Sequence, residues 1–191
     1  MQAAKESFYY SYYLHKPDSE EENSYVNSST HFKFVRIALW KLTVIELAKL
    51  FNRVDSQDKF NLNKLLLNLK SDGHFRRLNF DQSKIASWAE SLKSNEATIQ
   101  EIIKLRDIVY SHTDPNSDSY KNSNITFEQT ELLIKLCEEI IVSIYAEVFD
   151  THASMNFVYF SQSFKKITEI LSKEKKGRVN RMIENYKNTA G

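Results

Sequence analysis

Arg106, Asp107 and His112 are the residues in this chain whose types and spacing suit chemistry. They belong to the run Arg-Asp-Ile-Val-Tyr-Ser-His-Thr-Asp at 106–114, directly ahead of Pro115. The run joins a guanidinium that keeps its charge at any physiological pH, a carboxylate beside it, and an imidazole that titrates near neutrality. A fixed cation stabilises charge on a phosphate in the transition state, and a base poised near neutrality moves protons. Together they are the minimum for breaking a phosphodiester bond without a metal. Tyr110, Ser111 and Asp114 are supporting polar groups of the same run, and Lys104 just ahead of it adds a cation for a nucleic-acid backbone.

These groups must be positioned by a helix end. At about 100° per residue, Arg106 shares a sector with Ile99, Ile103 and Tyr110 and so leaves a mainly apolar face. A charge there is costly unless something anionic meets it. His112 lies about 120° further round, so the two side chains diverge in one regular helix. They converge if the last turn loosens before Asp114-Pro115, or if a symmetric dimer presses two copies of the face together. The negative end of the helix dipole and Asp114 both favour protonated His112, placing it where it can accept and donate a proton. The same residue types also suit a plain Arg106–Asp107 ion pair with a solvated His112 closing the helix, and the residues alone leave both readings open.

Composition narrows the fold. With 191 residues and 41% hydrophobic content the chain can bury a core, and it is expected to form one domain over 1–191. Three glycines and two prolines are too few for the turns of an all-β or doubly wound sheet, so an all-α antiparallel bundle of about five to six helices is expected. Lysine and arginine number 26 against 25 acidic residues, so polyanion binding must come from local clustering. The lone cysteine, Cys137, sits in an apolar stripe, which fits a core position and a reducing compartment. The first twenty residues do not read as a signal peptide, and no run reaches the roughly 18 apolar residues of a membrane span, so a cytoplasmic protein without membrane contact is expected. There is no His-Glu-x-x-His, no clustered Cys/His set and no glycine-rich phosphate loop, so neither metal nor cofactor is expected. His15, His31, His74 and His152 are scattered and read as surface or packing residues.

Along the chain, residues 1–23 form an aromatic and acidic segment whose Phe8, Tyr9, Tyr10, Tyr12 and Tyr13 suit packing onto the bundle or a partner, with stacking on bases the alternative. From about Ser24 to Asn52 the pattern predicts one long, largely buried helix carrying Val35, Ala38, Leu42, Ile45 and Ala48. A shorter apolar helix runs up to Asp72-Gly73. Asp81 caps the helix that carries Ile85, Trp88, Leu92, Ile99, Ile102 and Leu105 to the motif, with Ser94-Asn95 a point of interruption. After an Asn- and Ser-rich loop, Thr126-Phe-Glu-Gln129 has capping-box spacing and opens a helix bearing Leu133, Cys137, Ile140, Ile141, Ile144 and Val148. The motif is thus expected at the turn of a helical hairpin within a core of about 24–150. A final basic helix over 157–187 carries Lys175, Lys176, Arg178 and Arg181, which suit either an RNA backbone or a solvated face.

The Arg-x5-His spacing with Asp after the Arg, at a helix end in an all-helical chain, resembles the signature of the HEPN superfamily (higher eukaryotes and prokaryotes nucleotide-binding). Leu105-Arg106-Asp107-Ile108-Val109-Tyr110-Ser111-His112-Thr113-Asp114 is similar to the abortive-infection AbiU-like branch, whose usual run is close to Leu-Arg-Asp-Lys-x-x-Ala-His-x-Asp. Leu47-Ala48-Lys49-Leu50-Phe51, Asn61-Leu62-Asn63-Lys64-Leu65-Leu66 and Thr126-Phe127-Glu128 fit the same branch, so the resemblance covers about 30–150. It implies a metal-independent endoribonuclease acting as a homodimer in bacterial antiviral defence or a toxin–antitoxin pair, with RNA as substrate and an antitoxin or defence partner. His112 would be the acid/base group, Arg106 the phosphate clamp and Asp107 their orienter, leaving a 2′,3′-cyclic phosphate. HEPN toxins controlled by nucleotidylation carry a tyrosine where this chain has Asp114, so that control is not implied. The competing expectations are a catalytically inactive HEPN-type module that dimerises or binds a nucleotide or partner, and a helical adaptor working through its aromatic N-terminus and basic C-terminal helix.

Overall fold

The computed structural model describes residues 1–52, 61–107, 125–155 and 158–189, with the backbone alone for 158–161. It is all-helical, and the described residues contain no strand. In chain order they form α1 (Gln2–His15), α2 (Glu20–Ser28), α3 (Thr30–Phe51), α4 (Leu62–Leu69), a 3-10 turn (Arg76–Leu78), α5 (Gln82–Ser94), α6 (Glu96–Leu105), α7 (Phe127–Phe149) and α8 (Val158–Thr189). Eight α-helices among the described residues exceed the five to six expected, for three local reasons.

The aromatic segment at the N-terminus is itself helical. Phe8, Ser11 and Leu14, spaced by three, are buried on one face of α1. The long helix expected from Ser24 breaks at Ser29, whose backbone is extended (φ −94°, ψ 117°) and whose hydroxyl accepts the N–H of Phe32 at 3.4 Å. Asn95 divides the third expected helix. Its N–H donates to the carbonyls of Ser91 and Leu92, its amide donates to Ser91 O at 2.8 Å, and α6 starts immediately after it.

The chain divides into two compact units, Met1–Lys5 with Lys41–Asn156, and Glu6–Trp40 with Phe157–Gly191. The division falls inside α3, which explains why that helix is not buried throughout as its composition suggests. Its second half buries Thr43, Val44, Leu47, Ala48 and Phe51 in the first unit. Its first half packs Phe32, Val35 and Leu39 against Tyr13, Leu14 and Val26 in the second, while Phe34 and Ile37 stay 71% and 52% exposed.

In the first unit α5 and α7 run antiparallel, because Lys84 pairs with Glu147 while the Trp88 indole N–H donates to Glu139 at 3.0 Å. Ile85, Trp88 and Leu92 of α5 and Leu133, Ile134, Cys137 and Ile140 of α7 are buried, at about 1.5–3 kcal/mol for each large apolar side chain. Lys5 adds an ion pair to Glu138 and a hydrogen bond to Met155 O at 2.7 Å. In the second unit the Phe164 ring meets Tyr10, Tyr13 and Phe32 edge-on at 5.0–6.2 Å. Tyr13 donates to the buried carboxylate of Glu22 at 3.0 Å, which satisfies a charge that burial would otherwise destabilise. No helix among the described residues is long and apolar enough to cross a membrane.

Candidate functional site

Helix α6 carries the first part of the motif outward from a firm anchor. Ile99, Ile102 and Leu105 are buried at a spacing of three, and the N–H of Arg106 still donates to the carbonyls of Ile102 and Ile103. The backbone then widens into a π-type turn at Arg106–Asp107. Such turns alter the angle at which side chains leave a helix and recur at functional sites.

The Arg106 side chain is only 18% exposed, and its Nε donates to Asp107 Oδ1 at 2.7 Å, with Asp107 itself 53% exposed. The anion that the apolar sector of Arg106 requires is therefore its own neighbour. This bond uses one of the five N–H donors of the guanidinium and fixes the plane of the fork. Lys104 is exposed on the same helix. Tyr110, Ser111, His112 and Asp114 lie outside the described residues. Thr126 opens α7 with a full capping box. Its hydroxyl accepts the Gln129 N–H at 3.2 Å, and its own N–H donates to the Gln129 side chain at 3.0 Å.

Cys137 is fully buried in α7 and burial pushes its thiol up to about 12, so it is a packing residue and not a nucleophile. Among the described residues no three His, Cys, Asp or Glu side chains converge as a metal would require. His15, a surface or packing residue in the sequence reading, is partly exposed and holds Ser11 O through Nδ1 at 2.7 Å. Burial, then the nearby Arg36 guanidinium, push its pKa below 6.5 against the opposing effect of that bond.

The basic helix α8 is less available than its charge count implies. Lys165 pairs with Asp18 at 2.9 Å, Lys173 with Glu169 at 2.5 Å, Lys176 with Glu21, and Arg181 with Glu174 at 3.6 Å. Lys175 lies 5.5 Å over the Tyr25 ring and donates to Ser28 Oγ at 2.5 Å. Lys175 and Lys176 line an open groove of about 340 Å³ between α2 and α8, shared with Glu20, Glu21 and Tyr25. Arg178 is exposed and joins no ion pair among the described residues. A second exposed basic surface, Arg76 and Arg77, has no counterpart among the expected site residues. Its sequence signal is two arginines directly after His74-Phe75. No family model, curated protein or solved structure matches the chain.

Proposed function

We propose that this protein is a metal-independent endoribonuclease of HEPN type, acting as a homodimer in bacterial antiviral defence or a toxin–antitoxin pair. The observation that carries this reading is the state of Arg106, largely buried at the end of α6 and oriented by Asp107. A guanidinium already desolvated and fixed in plane stabilises phosphate charge without reorganising, which is where electrostatic catalysis gains most. His112 takes the proton from the ribose 2′-hydroxyl. The 2′-oxygen attacks phosphorus, the bond to the 5′-oxygen breaks, and a protonated histidine returns a proton to that oxygen. The products are a 2′,3′-cyclic phosphate and a 5′-hydroxyl, with no water or metal consumed.

The test is cleavage of an RNA pool by wild type, Arg106→Ala and His112→Ala, each checked by circular dichroism. Losing one charge-stabilising donor costs about 10²–10³ in rate. Losing a general acid–base group costs about 10²–10⁴. The Arg106–Asp107 bond equally suits a second reading, an inactive HEPN-type module that dimerises or binds a nucleotide or partner. Cleavage by the wild type that both variants lose separates the two.

A further inference from the structure

We propose that the connection between α4 and α5, residues 70–79, is a docking element for single-stranded nucleic acid, with Arg76 and Arg77 on phosphates and Phe75 stacked on a base. This stands without the ribonuclease reading, since it concerns binding alone.

The connection is a fixed turn and not a loose loop. Phe75 N donates to Asn68 O at 2.7 Å, Gly73 N to Lys70 O at 2.9 Å, and Leu78 N to Phe75 O at 2.9 Å. The Gln82 side chain ties its two ends together, accepting from Ser71 N at 3.1 Å and donating to Leu69 O at 3.2 Å and Phe80 O at 2.9 Å. The chain returns on α4 so closely that a Cβ on Gly73 would lie 2.4 Å from Asn68 O. Asn79 ends the turn in the left-handed region at φ 48°, which asparagine tolerates.

What this scaffold presents is charged and apolar together. Arg76 and Arg77 are exposed, and among the described residues neither enters an ion pair or a side-chain hydrogen bond. Lys70 adds a third cation against one carboxylate, Asp72, over 70–79. Phe75 is 39% and Leu78 47% exposed, and the His74 and Phe75 rings meet edge-on at 5.3 Å. Arginine forks match phosphate oxygens, and any base supplies a face for an exposed ring. A fixed backbone has already lost the entropy that docking would otherwise cost. A protein partner is disfavoured by size. The ten residues of 70–79 fall short of the roughly 20–30 a specific protein interface uses per side, whereas a strand needs only a stacked base and two phosphates.

The test is fluorescence anisotropy with a fluorescein-labelled single strand carrying 2′-O-methyl groups, which cannot be cleaved through its 2′-oxygen, and with the matching DNA strand. The tighter strand names the sugar the element prefers. Arg76→Gln/Arg77→Gln is expected to weaken binding of that strand at least about tenfold. It should also reduce the slope of log affinity against log salt by about 1.4, two contacts at about 0.7 each. Phe75→Ala is expected to weaken it about fivefold or more with the slope unchanged. The proposal is overturned if the wild type binds neither strand, if the double variant keeps wild-type affinity and slope, or if polyglutamate displaces the strand as well as unlabelled strand does.

Discussion

Arg106 and Asp107 are adjacent in sequence, and at that spacing an ion pair in solvent contributes little to stability. What Asp107 gives instead is direction, since its Oδ1 fixes one edge of a guanidinium that is only 18% exposed. Asp107→Asn should therefore lower kcat about tenfold or more, an order taken from the loss of one charge-assisted hydrogen bond, while the melting temperature stays near wild type. Single-turnover cleavage beside a thermal melt checks this, and an equal fall in both would assign the pair to folding alone. Cys137 gives an independent check on the core. With its thiol buried and pushed up to about 12, iodoacetamide at pH 8 should label the protein only after denaturation. His15 links stability to pH with a definite sign. Its folded pKa lies below 6.5, so the unfolded chain takes up protons first, and the His15 contribution is lost as pH falls below about 6.5 through the lower folded value. His15→Gln should flatten the fall of the urea midpoint over that range.

Helix boundaries were legible where a side chain caps its own chain. Asp81 accepts from Ser83 N at 2.8 Å, and Thr126 and Gln129 close the expected box. Replacing Thr126 by alanine should cost about 0.5–2 kcal/mol in a denaturant titration. The break at Ser29 was missed although Asn27-Ser28-Ser29-Thr30 is a run of residue types that favour caps and turns, because the apolar pattern on its far side was extended back across it. Apolar counting overstated the burial of α3, since period alone does not reveal that its two halves belong to different units. Charge counting likewise overstated the free charge of α8. Lys165–Asp18 and Lys176–Glu21 join residues 147 and 155 positions apart, which no local pattern reveals. The turn at Gly73 carries a sharper expectation. Gly73→Ala must displace backbone at Asn68, and at the roughly 1–3 kcal/mol of overpacking it should lower the melting temperature by several degrees.

At the scale of the molecule, composition gave the all-α class through the shortage of glycine and proline, which physics ties to sheet turns. The motif could be found from sequence because three chemically distinct side chains fall within seven residues. How His112 stands to Arg106 could not be read there, since divergence on a regular helix and convergence at a loosened turn follow from the same residues. If two copies complete the cleft, sedimentation at micromolar concentration should give a dimer, and Arg106→Ala mixed with His112→Ala should recover part of the activity each lacks alone. The most direct measurement remains cleavage of an RNA pool by wild type, Arg106→Ala and His112→Ala, with the product ends identified. Cleavage to 2′,3′-cyclic phosphate ends by the wild type, lost about a hundredfold or more in both folded variants, is the outcome expected of a phosphate clamp and an acid–base histidine. Equal behaviour of all three proteins would make Arg106–Asp107 a structural ion pair and leave the ribonuclease reading without its site.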